Sequence, residues 1–148
     1  MITIDTNIFV YLADDDEPTK QAQARELIGA LAADKVAVGL QVVGELQNVL
    51  RRKLGQPPWV AAQAARNLMV RYANFTATPT AVELALTQLA TGRLGYWDAL
   101  LLTSAKEAGC IQILSEDLQD GAEVLGLRII NPFGPEGLNQ NARALIAS

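Results

Sequence analysis

The stretch from residue 96 to residue 117, YWDALLLTSAKEAGCIQILSED, decides the fold class. Apolar residues recur in it at helical spacing from Tyr96 to Ala108, and Gly109 is a typical helix end. Cys110 to Leu114 then has the composition of a short, buried strand. A helix that leads directly into such a strand is typical of a parallel sheet, because parallel strands need a crossover connection. The stretch therefore predicts an α/β fold.

The rest of the sequence repeats this alternation. Further strands are predicted at Ile2 to Ile4, Lys35 to Val38, Asn74 to Ala77 and Leu127 to Ile130. Further helices are predicted from Pro18 to Leu31, from Gln41 to Leu54, from Pro58 to Tyr72 and after a cap at Thr78 or Thr80. This order predicts a mainly parallel sheet with helices on both faces. After Pro132 the frequent Gly, Pro and Asn residues predict a loose tail with a final helical turn.

The composition excludes several classes of enzyme. The 148 residues are 50% hydrophobic and 19% charged, which fits one folded domain. There is no histidine, and Cys110 is the one cysteine, so Ser-His-Asp triads, Cys–His pairs and zinc sites with His or several Cys are excluded. A single cysteine forms no disulfide within the chain, which fits a reducing compartment.

Membrane insertion and secretion are not expected from the sequence. No apolar run approaches the ~20 residues that a spanning helix needs. The first strand follows Met1 directly, without a basic region, so no signal peptide is expected. We therefore expect a cytoplasmic protein with no membrane partner.

The charges are segregated along the chain. The total is 12 Lys and Arg against 16 Asp and Glu, a formal net charge of -4. Residues 46–82 contain no acid, and their five bases are Arg51, Arg52, Lys53, Arg66 and Arg71. This pattern either offers a basic surface beside an acidic site or is chance clustering on a solvated face.

Two acids stand at the predicted ends of buried strands. Asp5 follows Ile2 to Ile4, and Asp117 follows the strand that ends near Ser115. Open parallel sheets bind ligands at the carboxyl ends of their strands, so both positions are candidates for a functional site. The simpler roles are a helix N-cap for Asp5 and an Asx turn for Asp117.

A third acid is placed unexpectedly on its helix. Asp98 falls on the same face as Leu102 and Ala105, near the centre of the apolar stripe, while Thr103 and Ser104 are predicted on the outer side. A carboxylate on a core-facing stripe is costly unless a cation or hydrogen-bond donors compensate its charge. Its simpler role is to stabilise the first turn of the helix.

Glu45 borders the apolar stripe of its own helix and is the fourth candidate, although its position alone fits a boundary glutamate that pairs with a neighbour better than a site residue. Carboxylates that converge without histidine select hard cations such as Mg²⁺ or Mn²⁺. Such a cation would also offset the repulsion between the acids. The chemistry typical of this kind of site is metal-assisted attack of water on a phosphate.

Four motifs together resemble the PIN domain, in particular the VapC-type toxins of bacterial toxin–antitoxin pairs. The motifs are Asp5-Thr6-Asn7, Val43-Gly44-Glu45-Leu46, Tyr96-Trp97-Asp98-Ala99-Leu100-Leu101 and Ser115-Glu116-Asp117-Leu118. The resemblance covers residues 1–133 and implies a PIN-like nuclease domain, a three-layer α/β/α sandwich with a mainly parallel central sheet. Residues 134–148 match no motif of the family and are assigned to a C-terminal tail.

The resemblance also implies a function, that of a Mg²⁺- or Mn²⁺-dependent endoribonuclease that is the toxin of a type II toxin–antitoxin system. Position by position, Asp5 and Asp98 would hold the main metal ion, and Glu45 would bind through water or a second metal. Asp117 would complete the catalytic quartet. The supporting polar groups would be Thr6, Asn7 and Ser115. Family members commonly form homodimers and are inhibited by a small antitoxin, which implies both kinds of partner here.

The basic stretch would then contact the RNA substrate. Arg52 lies two helical turns after Glu45 on the same face, roughly 10 Å away by helical rise, so it is the main candidate for holding a phosphate. Arg51, Lys53 and Arg93 are further candidates.

Three other interpretations were compared with this one. A HAD-type phosphatase needs a second Asp two residues after the first, where this chain has Asn7. A response-regulator receiver needs an acid pair soon after the first strand, and Asp14 to Asp16 come too late. A catalytically silent module that keeps the fold stays open, and metal-dependent RNA cleavage would distinguish it from a nuclease.

Overall fold

The computed structural model describes the whole chain, residues 1–148, as seven α-helices and eight strands. The helices are α1 (Thr6–Tyr11), α2 (Pro18–Ala30), α3 (Leu40–Arg52), α4 (Pro58–Arg71), α5 (Pro79–Ala90), α6 (Tyr96–Glu107) and α7 (Gln140–Ala147). The strands are β1 (Ile2–Ile4), β2 (Ala37–Gly39), β3 (Ala73–Phe75), β4 (Gln112–Leu114), β5 (Glu123–Val124), β6 (Leu127–Ile130), β7 (Phe133–Gly134) and β8 (Gly137–Leu138).

Local signals account for where most helices begin. Proline stands in the first turn of α2, α4 and α5, where its missing N–H costs no hydrogen bond. Thr78, and not Thr80, caps α5, because its Oγ1 accepts a hydrogen bond of 3.1 Å from the N–H of Ala81. Helices α2 to α6 therefore start within a residue or two of their predicted positions.

The sheet is mainly parallel, as predicted. Its four hydrogen-bonded strands have the order β1-β4-β6-β5, with β5 antiparallel to its neighbour. Strands β2 and β3 form a separate parallel pair, which a single bridge between Ile2 and Val36 joins to β1. The strand order reverses between β1 and β4, where Ile4 pairs with Leu114. The carboxyl end of the sheet at this point is the expected ligand-binding position of such a fold.

The strands are buried on both sides, which confirms that helices cover both faces of the sheet. All three residues of β1 are buried, and Ile4 and Leu114, paired across β1 and β4, are fully inaccessible. They belong to a hydrophobic core of 28 buried residues. The α/β/α layering follows, because strands that carry apolar residues on both faces need a cover on both faces.

Helix α6 differs from its prediction in two ways. Every residue from Ala99 to Ala105 is buried, so Thr103 and Ser104 do not lie on an outer side. Thr103 donates a hydrogen bond of 3.0 Å to the carbonyl of Ala81, because α5 packs against this side of α6. Asp98, in contrast, is exposed, and the prediction of a core-facing carboxylate was wrong. Its neighbour Trp97 is 64% exposed, so the first turn of α6 extends beyond the core.

The last residues form a hairpin and a helix where a loose tail was predicted. Strands β7 and β8 pair antiparallel, and Asn139 caps α7 through a hydrogen bond from the N–H of Ala142. A Cβ at Gly134 would lie 2.5 Å from the carbonyl oxygen of Gly137, and Gly137 has a φ of +141°. The glycines that indicated a flexible tail are thus the residues that this tight hairpin requires.

None of the helices combines the length and the hydrophobicity that crossing a membrane would require.

Candidate active site

Asp5 is the centre of the candidate site and begins α1 directly after β1. Its Oδ1 accepts a hydrogen bond of 2.7 Å from the N–H of Thr6, and its Oδ2 accepts one of 3.0 Å from Oγ of Ser115. The N–H of Asp5 donates to the carbonyl of Leu114 at 2.9 Å, which fixes the residue at the end of the β1–β4 pair. Asp5 therefore caps a helix and also faces the site.

The ionisation of Asp5 is strongly perturbed. Burial raises the pKa of its carboxyl from 3.8 to about 6, and the hydrogen bonds from Thr6 and Ser115 only partly offset this effect. The charges of Asp117 and Asp98 contribute to this increase. Both carboxylates therefore act on Asp5 by repulsion, which a bound cation would offset.

Asp117 lies at the same edge of the sheet as Asp5, in the turn after β4. Its Oδ2 accepts a hydrogen bond of 3.1 Å from Nδ2 of Asn7, and its N–H donates to Oγ of Ser115 at 3.3 Å. Ser115 is fully buried and thus contacts both Asp5 and Asp117. Of the predicted supporting residues, Ser115 therefore lies between the two strand-end acids, and Asn7 contacts Asp117.

Glu45 joins the cluster from α3. Its Oε2 accepts a hydrogen bond of 2.6 Å from Oγ1 of Thr6, and its Oε1 accepts one of 2.9 Å from Nε2 of Gln41. Gln41 also donates to the carbonyl of Trp97 at 3.1 Å, which ties α3 to the first turn of α6. Asp98 lies in that turn, and partial desolvation, followed by the charges of Asp117 and Glu45, raises its pKa. Asp5, Glu45 and Asp117 are thus linked through Thr6 and Ser115, and Asp98 interacts with Glu45 and Asp117 through its charge.

We expect the Thr6→Val substitution to lower the free energy of unfolding by about 1–3 kcal/mol. Thr6 is 4% exposed, and valine fills the same space but removes the hydroxyl that donates to Glu45. Urea unfolding measures the effect, with Thr6→Ser as the matched control because it keeps the hydroxyl. Equal stability of Thr6→Val and wild type would show that this hydrogen bond contributes nothing.

The predicted RNA-binding residues lie away from this hydrogen-bond network. Arg51, Arg52 and Lys53 are exposed at the C-terminal end of α3, and Arg93 is exposed in the turn before α6. None of the four forms an ion pair, because Lys20 and Glu116 form the one ion pair of the chain. In the rest of the basic stretch, Arg71 donates a hydrogen bond of 3.4 Å to the carbonyl of Ile28.

The donor set fits a divalent cation in its chemistry but is not a closed cage. The acids supply only carboxylate oxygens, the ligands of Mg²⁺ and Mn²⁺. No group of three or more acidic or cysteine side chains is arranged to hold an ion by itself. Mg²⁺ commonly keeps several waters and binds through one or two carboxylates, so a pair such as Asp5 and Asp98 is sufficient.

Several residues around the site were not identified from the sequence. Gln41 stands four residues before Glu45 on α3, and this helical spacing is the signal that would have identified it. Tyr11 and Lys20 contact Glu116, which follows them by about 100 residues, so no local pattern marks them.

Comparison with known proteins gives one family and a consistent fold. The PIN domain family matches residues 2–119. No curated protein sequence matches the chain significantly.

Solved structures of similar fold are toxin–antitoxin proteins. VapC20 from Mycobacterium tuberculosis, a toxin that cleaves the sarcin–ricin loop, has a TM-score of 0.64 at 21% identity, covering 79% of this chain and 92% of its own. A toxin–antitoxin complex from Klebsiella pneumoniae has a TM-score of 0.65 at 17% identity, covering 90% and 98%. FitAB bound to a DNA fragment has a TM-score of 0.69 at 14% identity, covering 95% and 99%.

At these identities the similar structures establish the fold alone. The family match extends from β1 to the turn after β4 and therefore includes all four acids of the cluster. With the strand order that places Asp5 and Asp117 side by side, this match leads to one conclusion: the chain belongs to the PIN domain family.

Proposed function

We propose that the protein is a divalent-metal-dependent endoribonuclease and the toxin of a type II toxin–antitoxin system. The observation that carries this proposal is the group of four acids beside the carboxyl ends of β1 and β4. Thr6 and Ser115 link Asp5 to Glu45 and Asp117 by hydrogen bonds, and the charges of Asp117 and Glu45 act on Asp98. The family supports a nuclease, and the fold is that of known toxins.

In the proposed site Asp5 and Asp98 hold Mg²⁺ or Mn²⁺, and Glu45 and Asp117 complete its surroundings, through water or through a second ion. When bound, the cation supplies an activated water and neutralises charge on the phosphate. Thr6 and Ser115 orient the carboxylates of Glu45 and Asp5 by their hydrogen bonds. With no histidine in the chain, carboxylates are the groups available for proton transfer at neutral pH.

The proposed partners follow from the similar structures. Several of them are toxin–antitoxin complexes, which supports a cognate antitoxin for this chain. RNA as substrate, a homodimer and a cytoplasmic location complete the proposal as predictions.

The test is RNA cleavage by the purified protein. We expect a structured RNA to be cut at internal positions in Mn²⁺ or Mg²⁺, and cutting to stop in EDTA. No cleavage in either metal would favour the alternative of a catalytically silent module. The absence of a preformed cage of three acids is the observation that favours this alternative.

We expect the Arg52→Ala substitution to weaken RNA binding and to reduce the slope of log K against log salt by about 1. Arg52 is exposed, has no ion pair and follows Glu45 on the same helix, so it is free to contact a phosphate. Binding measured at several salt concentrations gives the slope, and Arg25→Ala on α2 is the matched control. An unchanged slope would remove Arg52 from the RNA-binding surface.

A further inference from the structure

The one ion pair of the protein lies beside the acid cluster. Lys20 Nζ is 3.0 Å from Oε2 of Glu116, the residue between Ser115 and Asp117. Tyr11 Oη donates to Oε1 of Glu116, and Lys20 Nζ donates to Tyr11 Oη at 3.3 Å. We call these three residues, Lys20, Tyr11 and Glu116, the Lys20 latch.

The latch joins three separate elements of the fold. Tyr11 is the last residue of α1, Lys20 lies in the first turn of α2, and Glu116 lies in the turn after β4. These contacts span 105 and 96 residues of sequence. The latch therefore fixes the turn of residues 115–117 against α1 and α2. Asp5 is the N-cap of α1.

The latch is partly shielded from solvent, unlike a typical surface ion pair. The side chain of Glu116 is 17% exposed and that of Lys20 is 37% exposed. The Lys20 ammonium lies 5.0 Å from the ring centroid of Tyr11 and 5.7 Å from that of Phe133, and the two rings pack edge to face. A fully exposed ion pair contributes little to folding stability, whereas cation–π contacts add attraction to the lysine cation of this pair.

The turn needs to be held because of the charge that it carries. Asp117 is exposed, and the carboxylates of Asp5 and Asp98 repel it. Its side chain has one hydrogen bond, from Asn7, which is itself a surface contact. Its backbone N–H donates to Ser115 at 3.3 Å, and the Lys20 latch adds a restraint on the neighbouring residue, Glu116. With the latch removed, repulsion would favour conformations in which Asp117 turns away from the cluster.

We propose that Lys20, acting through Glu116 and Tyr11, is a positioning residue that keeps Asp117 directed at the metal site. The inference rests on the proposed function, since it concerns how the same site is assembled. It assigns a role to a lysine whose hydrogen bonds go to Tyr11 and Glu116 and not to any of the four acids.

The experiment titrates the full chain with Mn²⁺ and measures its thermal unfolding temperature at each Mn²⁺ concentration. We expect Lys20→Met to raise the Mn²⁺ concentration for half-maximal stabilisation by about 10-fold, as for loss of a group that orients metal ligands. Lys20→Arg keeps a cation that can pair with Glu116, so its Mn²⁺ concentration for half-maximal stabilisation should stay within about 3-fold of the wild-type value. The value for Tyr11→Phe should lie between those of Lys20→Arg and Lys20→Met. Arg25→Met, on the exposed side of α2, and Tyr72→Phe, whose hydroxyl has no hydrogen-bond partner, are the matched controls.

The same variants are assayed for RNA cleavage across Mn²⁺ concentrations. A positioning role predicts a higher Mn²⁺ requirement for Lys20→Met while kcat at saturating Mn²⁺ stays within a few-fold of wild type. Loss of thermal stability with an unchanged Mn²⁺ midpoint would mean that the latch is only structural and would overturn the proposal. A change confined to the salt dependence of RNA binding would mean that Lys20 contacts RNA, which also overturns it.

The wild-type titration separates this proposal from the proposed function. If the wild type is neither stabilised by Mn²⁺ nor active on RNA, the nuclease proposal fails and the latch proposal fails with it. The other outcome is that Mn²⁺ stabilises the wild type and supports RNA cleavage, while Tyr11→Phe and Lys20→Met have the same Mn²⁺ midpoints as their controls. In that case only the latch proposal fails. If Lys20→Met does not fold, the Mn²⁺ midpoint of Tyr11→Phe tests the latch proposal instead, because this substitution removes only a hydroxyl group.

Discussion

Replacing Asp98 by asparagine is expected to lower Mn²⁺-dependent RNA cleavage by at least about 100-fold, since a metal ligand supplies several kcal/mol of transition-state stabilisation. Asp98 is exposed in the first turn of α6, so the substitution leaves the core intact. It removes one of the two carboxylates proposed to hold the ion, without changing the size of the side chain.

The same substitution should raise the thermal unfolding temperature in EDTA. The charges of Asp117 and Glu45 raise the pKa of Asp98, so a neutral amide relieves repulsion that the metal-free protein experiences. Asp34→Asn is the matched control, because Asp34 is exposed and lies in a short 3-10 helix away from the cluster. Cleavage by Asp98→Asn at the rate of the control would contradict the assignment of Asp98 as a ligand.

The second large effect concerns the stability of the metal-free protein as a function of pH. The folded chain holds the Asp5 proton up to a pH of about 6, whereas a free aspartate loses its proton near 3.8. Folding therefore binds a proton between these values, and the free energy of unfolding falls as the pH rises through them. The shift corresponds to a loss of about 2 kcal/mol between pH 4 and pH 7, because the unfolded chain has already released part of this proton at pH 4.

Urea unfolding of the wild type and of Asp5→Asn, in EDTA at both pH values, measures this contribution. Asparagine caps helices as well as aspartate does, so the variant should fold and retain the start of α1. We expect the difference in unfolding free energy between the two proteins to change by about 2 kcal/mol across the range, with Asp5→Asn the more stable at pH 7. A constant difference would show that the carboxyl of Asp5 is not perturbed by burial.

The sequence predicts the strand-end acids because their signal is local. Asp5 and Asp117 each follow a short apolar strand, and a parallel sheet brings such positions to one edge. Pairing of β1 with β4 then places Ser115 between them. The helix starts at Pro18 and Pro58 were equally predictable from proline alone.

The predictions that were wrong or missing concern side chains whose burial or partners depend on contacts between elements distant in sequence. Helical spacing put Asp98 on the apolar face of α6, but spacing does not tell where a helix leaves the core, and its first turn is exposed. Thr103 and Ser104 are buried because α5 covers the side that was predicted to face solvent. The Lys20–Glu116 pair spans nearly 100 residues and leaves no pattern in the sequence.

The most direct test of the central claim, that the four acids form a divalent cation site, is calorimetric titration of Mn²⁺ into the metal-free protein at pH 7.5. The account predicts saturable binding to the wild type and to Asp34→Asn, and no saturable binding to the double variant Asp5→Asn with Asp98→Asn. Circular dichroism of each protein confirms that the variants are folded. Absence of saturable binding to the wild type, or equal binding to the double variant, would contradict it.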